Sequence, residues 1–366
     1  MFSMSTKKAS DFMKLTRKQY WVLIALLILA FLIQTINAAL TYSPTVDEVA
    51  NVGSGLYYLE TGNMTLQKDN PPLSRIISSP PLLLFGNLST DINHSYILGT
   101  HILFDTGNDP KIMIFLTRLP VIILSAILAL SILYFATMLY GREAGIFSLS
   151  LYVFEPTILG HSSLFTTDVS VTLFIFLSMM SFWLYVKNPT YKNAAVTGLF
   201  ISLAMATKLT ALYIFPVMAL LLIFFAYRKL ITPREILVLT GLVVIITVLV
   251  LNSTYLFRGF GVPLSDTIEI DRIEPYISNN FLGPAILLGA SLPMPVSDTY
   301  MIGFADQYLH QLSGQNTFLL GEHSRLGWWY YFPLVFLMKA SVFFLMILAL
   351  GAYALYRFGF EKKDFV

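Results

Sequence analysis

Apolar runs recur along the chain at 21–40, 111–139, 144–160, 169–186, 194–207, 210–227, 236–256 and 329–356. A helix needs about 20 mostly apolar residues to cross a hydrocarbon core. The pattern therefore predicts an all-α, polytopic membrane bundle with about eight transmembrane helices. The runs 194–207 and 210–227 are nearly continuous. As one helix they would extend about 51 Å, too long for a single crossing. The polar break "ATKLT" at 206–210 is accordingly read as a bend between two spans. Lys187 and Lys192 precede this pair, and Arg228, Lys229 and Arg234 follow it. Both flanks read as cytoplasmic by the positive-inside rule, so the chain must cross twice between them.

The same rule keeps the start inside, through Lys7, Lys8, Lys14, Arg17 and Lys18, and also the tail "YRFGFEKKD". The first apolar run reads as an anchor, because it is long for the core of a cleaved signal. The non-cytoplasmic side then receives two long segments, 41–110 and 257–328, and most of the acidic residues. The whole chain, 1–366, is expected to form one transmembrane domain. Within the first segment, "NPPLSRIISSPPLLLFG" at 70–86 holds four prolines, which argue against a regular span. Short helices lying at the interface are expected there. The second segment opens with the acidic stretch "SDTIEIDRIEP". Glycosylation-type sequons at Asn63, Asn87, Asn93 and Asn252 fit outer loops.

Composition sharpens this picture. The chain is 56% hydrophobic and 12% charged, about half the charge of an ordinary soluble domain. It contains no cysteine, which excludes disulfides and thiolate metal sites. The net charge is +2 with no basic stripe, so nucleic acid is not an expected partner. The bilayer is.

Against so apolar a background, individual polar residues stand out. Asp47 and Glu48 are adjacent in "TVDEVANV", directly after the first apolar run. They read either as solvated or capping carboxylates, or as a candidate base for a hydroxyl proton. Asp168, in "HSSLFTTDVSVTLF", stands where a helix cap is expected and is a second catalytic candidate. Arg118 lies about seven residues, roughly 10 Å, into the second apolar run. A charge there costs at least about 2.5 kcal/mol, so it needs a partner or a task, and a lipid phosphate would suit it. Lys208 sits in the bend. Lys339 falls about ten residues into the last run, near mid-depth if that helix is continuous. Trp328, Trp329, Tyr330 and Tyr331 read as an interfacial aromatic belt, or as surfaces on which a lipid or sugar could lie. His161 and His323 are isolated, and no spacing signals a metal site; a divalent cation is left open.

Five stretches, in order, resemble glycosyltransferase family 39, the superfamily of protein O-mannosyltransferases and aminoarabinose transferases. They are "PTVDEV", "DNPPLSR", "TTDVSVTLFIFLSMMSFWLYV", "GLFISLAMATKLTAL" and "LLGEHSRLGWWYYFPLVFLMK". The resemblance implies a GT-C fold. It also implies inverting transfer of a sugar from a polyprenyl-phosphate, dolichyl or undecaprenyl, to a hydroxyl acceptor on protein, glycan or lipid. It assigns the base to Asp47, a supporting role to Glu48, the acid of the "TDV" motif to Asp168 and a carrier-phosphate contact to Arg118. Asn70 stands where His or Lys is usual in the family, at a position associated with phosphate or acceptor. Lys208, Lys339 and Arg75 are further candidates for stabilising the departing phosphate, and Trp328, Trp329 and Tyr330 for the substrate. The active site is expected on the non-cytoplasmic face, of a prokaryotic plasma membrane or the endoplasmic reticulum. Two other classes fit the same hydropathy. One is a transporter or flippase for a lipid-linked sugar. The other is a non-catalytic relative.

Overall fold

The computed structural model describes residues 15–86, 88, 91–266, 289–314 and 316–358. The sequon at Asn87 and Lys7, Lys8 and Lys14 lie outside these, as do most of the acidic stretch after Asp266 and the end of the tail. In chain order the helices are α1 (Arg17–Thr41), α2 (Val46–Thr61), α3 (Leu73–Ser78), α4 (Ser95–Phe104) and α5 (Pro110–Tyr140). They continue with α6 (Arg142–Phe154), α7 (Pro156–Ser162), α8 (Asp168–Lys187), α9 (Tyr191–Met205), α10 (Ile214–Tyr227) and α11 (Pro233–Thr254). After these come α12 (Asp298–Ser313), the strands β1 (Thr317–Leu319) and β2 (Glu322–Ser324), α13 (Tyr331–Lys339) and α14 (Val342–Phe358). The strands form one small antiparallel hairpin, and the rest of the described chain is mostly helix.

All eight apolar runs are helical, but they are not equivalent. Among the described residues, α1, α5, α8, the Leu209–Tyr227 stretch and α11 are long and apolar enough to cross a membrane. The run 329–356 divides into α13 and α14, bent by 112°, and counts as a sixth span only if taken as one broken crossing. The run 144–160 is also two helices. Proline lacks the amide hydrogen of a helix interior and disfavours helical geometry in the residue before it, so Glu155–Pro156 ends α6 and starts α7. Helix α9 has 15 residues, about 22 Å, short of a full hydrocarbon core. The bend after it falls at Ala206–Lys208, with a 3-10 turn over Leu209–Tyr213, inside the "ATKLT" break. The fold of the described residues is that of an all-α, polytopic integral-membrane chain.

The chain forms two compact units. The first contains the residues up to Ser43, Arg118–Leu164 and the residues from Leu337 on. Helix α1 starts with a capping box: the Thr16 hydroxyl accepts from the Gln19 amide, and the Gln19 side chain accepts from the Thr16 amide. It packs on α6 and α7, with Phe31 and Leu149 fully buried. Polar groups inside this unit pair with one another. Ser125 Oγ lies 2.7 Å from the Tyr152 hydroxyl and 2.6 Å from Ser162 Oγ, linking α5, α6 and α7.

The second unit contains Pro44–Thr117 and Phe165–Phe336. Its spanning core is α9 packed against α8 and α11, with Ser202 Oγ and Thr247 Oγ1 2.9 Å apart across the α9–α11 contact. The first long loop is folded into α2, α3, a 3-10 turn at Pro80–Leu84 and α4. Helices α2 and α4 cross at backbone contact. A Cβ on Gly99 would collide with the Val49 carbonyl, and one on Gly53 with the Ser95 carbonyl, so only glycine permits this approach.

Candidate functional site

The two adjacent carboxylates have different surroundings. Thr45 and Glu48 form the capping box of α2, a Thr-x-x-Glu spacing that reciprocally satisfies two orphan amides. Glu48 is fully buried, and its Oε2 accepts from the Thr45 amide at 2.9 Å and hydroxyl at 3.1 Å. Its Oε1 accepts from the Phe165 amide at 2.8 Å, across 117 residues of chain. Asp47 is exposed in the first turn of α2 and has no hydrogen bond or ion pair among the described residues. Consecutive helix positions diverge by about 100°, so one of the pair faces inward while the other faces out.

Glu48 is one of several ties that converge on the segment before α8. Asn51 Nδ2 donates to the Phe165 carbonyl at 3.0 Å. Ser74 Oγ donates to the Thr166 carbonyl at 3.2 Å, and the Leu73 amide to the Ala206 carbonyl at 3.0 Å. The "DE", "PPLSR", "TTD" and "ATK" segments are thus joined by hydrogen bonds within the second unit. At their junction Lys208 Nζ lies 2.8 Å from Asp168 Oδ1. Asp168 is the first residue of α8, where a negative charge meets the positive end of the helix dipole. Thr167, the cap residue, makes no side-chain capping bond.

Lys208 also lines a cavity of about 340 Å³. The loop residues Asp69 and Asn70, the 3-10 turn residues Leu209 and Tyr213, and one face of α12 line it as well. Behind the loop, Arg75 is buried, and its Nη2 donates to the Gln67 and Asn70 carbonyls at 3.1 and 2.7 Å. Its Nε and Nη1 have no partner among the described residues. Burial pulls the Arg75 pKa below its ordinary value, opposed by nearby Tyr255 and Asp69. Arg75 therefore holds the loop that carries Asp69 and Asn70.

The remaining sequence candidates lie elsewhere. Arg118, in the first unit, is fully buried, and its guanidinium serves the backbone. Nη1 donates to the carbonyls of Ala39 at 2.7 Å and Tyr42 at 2.9 Å, and Nη2 to that of Ser43 at 3.2 Å. These carbonyls close α1, where unpaired acceptors and the negative dipole end favour a cation. Lys339 is exposed at the end of α13, where the helix breaks, rather than deep within a continuous helix. Its carbonyl accepts from Thr157 Oγ1 at 3.3 Å. Trp328 stacks on Tyr331 with centroids 6.5 Å apart, and Trp329 meets Tyr330 edge-on; none of the four lines the cavity. Among the described residues no group of three or more His, Asp or Glu could hold a metal ion.

The site residues missed by sequence reasoning are those of α12: Phe304, Gln307, Tyr308 and Gln311, all lining the cavity. Their spacing, i, i+3, i+4, i+7, marks one helical face. That periodicity marks a face in the sequence but not whether it lines a cavity or solvent.

Apolar helices of spanning length thus carry an acid–lysine pair beside a cavity lined by polar, aromatic and aliphatic side chains. Residues 112–252 match the family model described as dolichyl-phosphate-mannose-protein mannosyltransferase. This match supports the glycosyltransferase family 39-like superfamily and a membrane glycosyltransferase of mannosyltransferase-like type. It includes Arg118, Asp168 and Lys208. No curated protein and no solved structure matches the chain.

Proposed function

We propose that the chain transfers a sugar from a polyprenyl-phosphate donor to a hydroxyl acceptor, with inversion, on the non-cytoplasmic face of its membrane. The observation that carries this reading is the hydrogen-bonded junction of the four motif segments, two of which line one cavity through Asn70 and Lys208. Asp47 is the base. It is exposed and unpaired among the described residues, while its neighbour Glu48 anchors α2 to Phe165. The Asp47 carboxylate takes the acceptor hydroxyl proton, and the acceptor oxygen forms a bond to the anomeric carbon. The bond from that carbon to the phosphate oxygen breaks from the opposite face. Its electron pair leaves with the polyprenyl phosphate, and the configuration inverts.

The charge that grows on the leaving phosphate needs a cation already in position. Lys208 supplies it, oriented by Asp168, and Asn70 offers its amide to the same space. Arg118 acts as the clamp on the end of α1, from which the chain runs on to Asp47. The family match favours this reading over a transporter, whose chemistry would need no base.

The test uses the full chain in lipid nanodiscs with a panel of polyprenyl-phosphate sugars, products being read by mass spectrometry. Transfer by the parent chain and its loss in Asp47→Asn, with folding unchanged, is the expected result. Near-normal turnover in Asp47→Asn overturns the assignment of the base. No transfer from any donor overturns the enzymatic reading.

A further inference from the structure

Helix α12 lies outside the matched family segment, yet it contributes a whole face to the cavity. Its position is fixed from behind. Gly303 sits so close to the Lys68 carbonyl that a Cβ would collide with it. One turn earlier, the buried ring of Tyr300 meets Tyr255 edge-on, with centroids 6.3 Å apart. These contacts set α12 against the 67–70 loop. The next turns then carry Phe304, Gln307, Tyr308 and Gln311 along the cavity.

This face has a definite chemistry. A primary amide offers two donors and an acceptor without a charge, which matches ring hydroxyls that both donate and accept. Gln307 and Gln311 stand one turn apart, about 6 Å, a spacing that lets two amides address different hydroxyls of one ring. Phe304 and Tyr308 add flat apolar surface for the C–H face of such a ring. Lys208 is the single cation among the lining residues, paired with Asp168 at 2.8 Å, and Asp69 is the lining carboxylate. The lining thus joins the charged Lys208 and Asp69 to an amide–aromatic helix face whose chemistry suits an uncharged pyranose.

We propose that Gln307 and Gln311 are specificity-determining residues that read the hydroxyl pattern of the donor sugar. This rests on the donor reading above, from which its test can be separated. A site built to pair a hydroxyl rejects the epimer that misplaces it, because its own polar groups are then left unpaired. The measurement is binding of short-chain prenyl-phosphate mannose, glucose and galactose to the full chain in nanodiscs, by calorimetry, together with transfer from each.

The parent chain is expected to prefer one epimer. Gln307→Leu and Gln311→Leu are expected to reduce that preference about tenfold, the worth of one hydrogen bond. Prenyl phosphate without sugar should bind them unchanged, which also reports that they fold. Gln311→Asn should restore part of the preference. If both leucine variants keep the parent's ranking and ratio of sugars, or the parent binds all three equally, the assignment of α12 is wrong while the donor reading stands. If the parent binds none of the donors, both fall. If binding preference flattens as expected but no sugar is transferred, the α12 assignment stands and the enzymatic reading fails.

Discussion

Both units bury polar side chains in apolar surroundings, but they use them differently. In the first unit the polar groups satisfy one another. Arg118 makes three hydrogen bonds to the carbonyls at the end of α1, and Ser125, Tyr152 and Ser162 share a hydroxyl chain. The second unit has such clamps too, Glu48 among them, but it also leaves Lys208 and Asp168 partly exposed beside a cavity, and Asp47 exposed and unpaired among the described residues. The difference teaches that a rare charge in an apolar sequence signals a requirement, not a role. What separates clamp from chemistry is whether the hydrogen-bonding capacity is already used within the fold.

The comparison can be pressed hardest at Asp47. Asp47→Asn should reduce transfer by about 10²–10⁴-fold, the range for a lost general base, with no change in thermal unfolding in nanodiscs. Arg118→Ala should do the reverse. It strands the buried Ala39 carbonyl and removes two part-buried bonds, about 1 kcal/mol each, so the yield of folded protein and its melting temperature should fall. Specific activity of what remains folded should change less. If Arg118→Ala instead leaves stability intact and removes transfer, the division drawn between the units is wrong.

Lys208→Met should cut transfer about tenfold or more, and stability by less than about 1 kcal/mol, because the pair it breaks is partly solvated. Transfer assays and melting curves on one preparation distinguish this from a clamp. The smallest effect is expected at Ser125→Ala, about 1 kcal/mol of stability for a buried hydrogen bond, with transfer unaltered.

Much of this organisation was legible in the sequence. The apolar runs located the helices, and the bend at 206–210 followed from length and charge. The Thr45–Glu48 spacing carries the capping box, and the divergence of neighbouring helix positions foretells that Asp47 and Glu48 part ways. Other features depend on partners far along the chain. No local pattern tells that Arg118 meets Ala39, Tyr42 and Ser43, since its cost in hydrocarbon is the same whatever satisfies it. Sequence places Lys339 deep because the run 329–356 is apolar throughout, and hydropathy does not register a 112° bend. The α12 face escaped notice because a polar helix lining a cavity has the same periodic alternation as one lining solvent.

Two of the ties that shape the cavity end on main-chain oxygen, from Ser74 to Thr166 and from Leu73 to Ala206. Every amino acid carries that acceptor. Substitution at positions 166 and 206 therefore leaves both struts standing, and what limits change there is only the room around two buried side chains.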